Sequence, residues 1–128
     1  MVEKFKLCDK VHFTGFVSDT EKLWDNCDVF FFPIRWQEPF GLVGLEAMAH
    51  GVPVAAFDLG GVREYLSEKC GVLIPEKDFS CAAERLSAFY LQEGLLKKLG
   101  ENGMYWAEHK FSEENFIENF KKLEAVLK

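Results

Sequence analysis

The sequence predicts an α/β fold: a parallel sheet flanked by helices, with a helical C-terminal region. Three observations point there. Residues 28–33 (Asp-Val-Phe-Phe-Phe-Pro) and 52–57 (Val-Pro-Val-Ala-Ala-Phe) are near-continuous apolar runs, the pattern of strands buried on both faces of a parallel sheet. Short helix-like segments stand between the strand-like ones, which gives crossover connections and parallel neighbours, a doubly wound layer. After residue 76 the texture changes to three amphipathic helical stretches with no strand between them.

In chain order, residues 1–8 read as the end of a helix, with Val2, Phe5 and Cys8 at a spacing of three and no cap signal before them. Residues 11–14 alternate and stop at Gly15, as a short strand does. Ser18 or Asp19 can cap a helix over 20–26 that buries Leu23 and Trp24. The strand at 28–33 leads through a loop, 34–39, to a short helix at 42–50, stopped by Gly51 and Pro53. Pro53 enters the next strand, where a missing N–H is tolerated. Asp58-Leu-Gly-Gly61 is a flexible turn into a short helix over 62–67, and 71–75 is a fourth strand. Helices follow at 80–92, 95–109 and 112–127, the last with Ser112 as its N-cap. The 128 residues thus divide into a sheet-bearing part, 1–75, and C-terminal helices, 76–128, within one domain.

Composition narrows the function classes. An apolar content of 48 % is ample for one core, and no apolar run is long enough to span a bilayer. A net charge of −6 without any basic run argues against a nucleic-acid binder. It leaves room for one nucleotide, which needs only a helix N-terminus or a single Arg. The four cysteines form no Cys-x-x-Cys pair and have no His at zinc spacing, so they read as reduced thiols in a cytoplasmic protein. Asp-x-Asp, G-x-G-x-x-G, the P-loop pattern and G-x-S-x-G are all absent, against a metal-dependent transferase, a dinucleotide dehydrogenase, an ATPase and a serine hydrolase. Asp58 follows a strand, but no upstream acidic pair accompanies it to make a phosphoacceptor pocket.

Ligands of open parallel sheets sit beyond the carboxyl ends of the strands. That rule places the loops 15–19, 34–41 and 58–62 on one rim. The middle loop carries the densest chemistry: Glu38-Pro39-Phe40-Gly41-Leu42-Val43-Gly44-Leu45-Glu46. Pro39 biases Glu38 away from helix, which sets Glu38 in the loop and Glu46 inside the helix. Glu38 is either an exposed turn carboxylate favoured by the helix dipole or an acceptor for ligand hydroxyls. Backbone N–H groups of Phe40, Gly41 and Leu42 stand where a helix start attracts an anion. Glu46 has apolar neighbours and is expected to be buried, hence either ion-paired with Arg63 or Lys10 or bonded to a ligand. Arg35 and Trp36 read as structural loop residues, and His50 as a helix C-terminal cap.

The stretch 38–54, Glu-Pro-Phe-Gly-Leu-Val-Gly-Leu-Glu-Ala-Met-Ala-His-Gly-Val-Pro-Val, closely resembles the Glu-x7-Glu signature of retaining nucleotide-sugar glycosyltransferases of the GT-B fold, family 4 (group 1) type. The likeness runs from about residue 11 to about residue 75. It implies the Rossmann-like C-terminal half of a GT-B fold, N-terminally truncated, whose function is to bind the donor. Such an enzyme moves a hexose from a nucleotide diphosphate sugar to a glycan or lipid-linked acceptor with retention, and needs no metal and no further cofactor.

By the same resemblance Glu38 is the catalytic-site carboxylate that contacts the donor sugar, as a positioning group rather than a nucleophile. Phe40, Gly41 and Leu42 offer backbone donors to the donor, and Glu46 takes the ribose hydroxyls. Gly15, Phe16 and Val17 lie against the base, and Gly60 and Gly61 form the family's Gly-Gly turn. Polysaccharide biosynthesis in the cytoplasm, peripherally at the inner face of the membrane, is the implied setting. A full enzyme of this type is about three times as long. The acceptor side and the basic pair that clamps the diphosphate have no counterpart in this sequence, so the chain alone is expected not to transfer sugar. The alternative is a non-catalytic nucleotide-sugar-binding module, or half of a split enzyme that needs a partner chain.

Overall fold

A computed structural model of the chain describes residues 1–75 and 77–126. Helix α1 (Glu21–Trp24) leads to strand β1 (Phe30–Phe32), helix α2 (Leu42–Ala49) and strand β2 (Val54–Phe57). A 3-10 turn (Gly60–Glu64) precedes strand β3 (Gly71–Ile74), and helices α3 (Phe79–Leu91), α4 (Leu95–Lys110) and α5 (Glu113–Val126) complete the chain. The expected boundary at Glu76 and the last residue of the final helix, Leu127, lie outside the described residues.

The three strands form one parallel sheet in the order β1-β2-β3. Phe30 lies opposite Val54, and Val54 opposite Gly71. Strand β2 is central and all four of its residues are buried. Its side chains alternate between two cores, as the period of a strand requires. Val54 and Ala56 join Met48, Val62, Tyr65 and Leu66 on the face covered by α2 and α4. Ala55 and Phe57 join Val72, Ile74 and Ala82 on the face covered by α3. Each large side chain fully buried here contributes about 1.5–3 kcal/mol.

Helix α4 reaches α2 through small residues. A Cβ on Gly100 would stand 2.0 Å from the Gly51 carbonyl oxygen, and one on Gly103 would touch Met48. Buried Ala107 continues the same stripe. This close approach seats the C-terminal end of α2 against α4.

Several expectations need correction. Residues 11–14 form no strand: Phe13 is 84 % exposed, and β1 pairs only with β2. Alternation marks a strand only where a partner ladder is available. Edge strand β1 is therefore half-buried rather than buried on both faces. Residues 1–10 make turns, not the end of a helix, with Phe5 N–H bonded to the Met1 carbonyl at 3.2 Å. Neither Ser18 nor Asp19 caps α1, which starts from Thr20 without a side-chain cap and buries Trp24 but not Leu23. The helical turn expected at 62–67 begins at Gly60 and is 3-10. Ser112 does cap α5, its Oγ accepting from the Asn115 N–H at 3.2 Å. Asp78, an unanticipated cap, accepts from the Cys81 N–H at 2.8 Å and starts α3 one residue early.

Candidate functional site

The loop 34–41 and the double-glycine turn are joined at the carboxyl ends of β1 and β2. The Gly61 N–H donates to the Glu38 carbonyl at 2.9 Å. A Cβ on Gly60 would stand 2.2 Å from that same oxygen, and one on Gly61 2.0 Å from the Pro39 oxygen. Gly60 also has a φ of +62°, a conformation that a side chain makes costly. The two glycines are thus the floor on which Glu38 and Pro39 rest. Beyond them, Arg63 Nε and Nη2 grip both oxygens of Asp58, a bidentate pair that closes the turn after β2. Arg63 is thus paired with Asp58 and not with Glu46.

Helix α2 starts from Gly41, which is buried and left-handed at φ 87°. No side chain caps this start. The backbone N–H groups of Phe40, Gly41 and Leu42 have no acceptor among the described residues. They are donors at the positive end of a helix dipole, suited to an anionic or oxygen-rich ligand. The Phe40 side chain is half-buried, 5.3 Å from the Tyr65 ring and 5.6 Å from the Phe111 ring at the end of α4. Lys110 Nζ donates to the Glu64 carbonyl at 3.0 Å, a second tie between α4 and the rim.

Glu38 is half-buried just before these donors, and its Oε2 accepts from Trp36 Nε1 at 3.0 Å. Trp36, 63 % exposed, thus holds the carboxylate from the solvent side. Arg35 is exposed and makes no ion pair with Glu38. Glu46 is exposed, not buried as expected, and has no ion pair with Arg63 or Lys10. Leu42, Glu46 and Ala49 form the solvent-facing stripe of α2, since only the opposite side meets the sheet and α4. Glu46 therefore follows the open start of the helix by one turn, on an accessible face. His50 stands at the C-cap of α2, stacked on Trp24 at 6.3 Å.

Gly15, Phe16 and Val17 are not tied to this site by any hydrogen bond among the described residues. Phe16 is 96 % exposed, and a Cβ on Gly15 would meet nothing within 4 Å. No group of three or more His, Cys, Asp and Glu suited to a metal occurs among the described residues. No described helix is long and apolar enough to cross a membrane.

Sequence reasoning missed Tyr65. It is 1 % exposed, and its hydroxyl has no hydrogen-bond partner among the described residues. Burial first, and the nearby Glu38 charge second, push its phenol up to about 12. The available signal was a tyrosine four residues after Gly61, since buried tyrosines carry a polar tip that must be placed.

Comparison with known proteins agrees with this architecture. The family of glycosyl transferases group 1 matches residues 1–106. The chain is 34 % identical over 116 residues to the lipopolysaccharide core biosynthesis mannosyltransferase LpsB of Rhizobium meliloti, covering 88 % of this chain and 33 % of that protein. It superimposes on sucrose-phosphate synthase from Thermosynechococcus elongatus with a TM-score of 0.83 and 32 % identity, covering 98 % of this chain and 32 % of that one. The C-terminal domain of a glycosyl transferase group 1 family protein, LpcC, from Francisella tularensis gives a TM-score of 0.77 at 26 % identity, covering 88 % of this chain and 59 % of that one. The chain spans about a third of the length of LpsB and of the synthase.

Proposed function

This chain belongs to the glycosyl transferases group 1 family, and on that premise we propose that it is the donor-binding part of a retaining hexosyltransferase. The donor is a nucleotide diphosphate sugar and the acceptor a glycan or lipid-linked sugar. The observation that carries this reading is the uncapped start of α2. Three backbone donors without an acceptor among the described residues lie between a half-buried carboxylate, Glu38, and an exposed one, Glu46. A diphosphate suits the amides of Phe40, Gly41 and Leu42, while Glu38 accepts from the sugar hydroxyls and Glu46 from the vicinal ribose hydroxyls. Catalysis on such a frame rests on oriented dipoles stabilising the departing diphosphate, with no protein nucleophile. The likeness to the isolated C-terminal domain of LpcC supports the assignment to the donor half. The work of LpsB in lipopolysaccharide core biosynthesis supports a role in polysaccharide assembly.

The test is an amide-resolved NMR titration of the labelled chain with UDP, GDP and ADP and their glucose conjugates. One nucleotide is expected to shift the amides of residues 40–46, and Glu46→Ala to weaken it at least about tenfold, the loss of hydrogen bonds to a charged group. A folded sample whose amides at 40–46 stay still with every compound overturns the reading.

A further inference from the structure

We propose that Tyr65 is a positioning residue of this donor site: its hydroxyl donates to the Glu38 carboxylate when a nucleotide sugar occupies the start of α2, and so sets how Glu38 meets the sugar. The inference rests on the donor-site reading above and adds to it a residue that the reading does not use.

The first observation is the cost of the group. Tyr65 is 1 % exposed, and its Oη has no partner among the described residues. A buried hydroxyl left unpaired destabilises the fold, and phenylalanine would fill the same space without that penalty. The second is where the hydroxyl points. A Cβ on Gly44 would stand 2.3 Å from Oη, and one on Gly41 3.3 Å from it. The first turn of α2 is shaped around this one polar atom, in the same turn as the amides that have no acceptor among the described residues.

The third observation is the neighbour. The point 3.3 Å from Oη, where a Gly41 Cβ would be, lies 3.5 Å from Glu38 Cγ. The carboxylate oxygens lie two bonds beyond that Cγ, a reach that a turn of the Glu38 side chain can direct toward the hydroxyl. In the structure Oε2 is held by Trp36 Nε1, itself largely exposed, and Oε1 has no partner among the described residues. Glu38 thus has two donors available, one exposed and in use, one buried and unused. A sugar hydroxyl competing at Oε2 turns the carboxylate inward, and Tyr65 then fixes it at the other oxygen.

The experiment compares the chain with Tyr65→Phe, Glu38→Gln and the double variant. Calorimetric affinities are measured for UDP-, GDP- and ADP-glucose and for UDP, GDP and ADP, beside thermal unfolding without ligand. Tyr65→Phe is expected to unfold at the same temperature or higher, to lose about tenfold in affinity for the bound nucleotide glucose, and to keep the affinity for its nucleoside diphosphate. Once Glu38 is Gln, the further loss from Tyr65→Phe is expected to shrink, as it must for a coupled pair. Equal losses for both ligands, no loss, or additive losses overturn the role of Tyr65 while the donor reading stands. If the unaltered chain binds none of the six, the donor reading itself fails and this inference with it.

Discussion

Two glycine-bearing loops of this chain look alike in sequence and differ in the fold. Around Gly60 and Gly61 a missing Cβ is a packing requirement, because backbone oxygens of Glu38 and Pro39 occupy its place at 2.2 and 2.0 Å. Around Gly15 the space is open and the following Phe16 is almost fully exposed. The first loop is built into a core that includes Val62, Tyr65 and Leu66, and the second belongs to a segment without helix or strand. A glycine in a rim loop is therefore no guide by itself to how firmly the loop is held. What covers it decides.

The contrast is open to direct measurement. Gly60→Ala combines an overlap with backbone and a left-handed φ, and should lower the unfolding free energy by about 3 kcal/mol or more in chemical denaturation. A loss under about 1 kcal/mol would mean that the Glu38–Gly60 contact yields, and would remove the contrast.

Alkaline titration sharpens it next. The Tyr65 phenol is raised from 10 to about 12 by burial and by Glu38. Below about pH 10 folded and unfolded chains both keep this proton, and the contribution is fully present. As pH rises toward 12 the unfolded state loses the proton first, so stability falls by up to about 1.4 kcal/mol per pH unit. Denaturation midpoints over that window should show a slope that Tyr65→Phe removes.

The smallest effect belongs to Gly15→Ala, which faces only the strain of φ +65° in a segment free to adjust. It should cost about 1–2 kcal/mol, against the larger loss at Gly60.

The apolar runs of β1, β2 and β3 and the periodicity of α3, α4 and α5 were legible because burial of strands and helix faces is written locally. The start of α2 was legible from Pro39 and Gly41, and the family from the Glu38–Glu46 stretch. Other features depend on partners far along the chain. Alternation at 11–14 could not reveal that no strand pairs with it. Apolar neighbours of Glu46 identified a helix but not which of its faces α4 and the sheet would leave open. The nearness of Tyr65 to the double-glycine turn was readable, but its place beside Glu38 was not, because its surroundings come from Phe40, Gly41 and Gly44.

The hydrogen bond from Trp36 to Glu38 has an optical consequence. Of the three tryptophans, Trp24 is buried beside Phe30 and Trp106 lies under the Lys110 ammonium. Trp36 alone is mainly in water, with its indole N–H committed to the candidate site. Its fluorescence is thus a built-in reporter: when Glu38 changes partner, this fluorophore loses its acceptor, and occupancy can be followed by emission without any label.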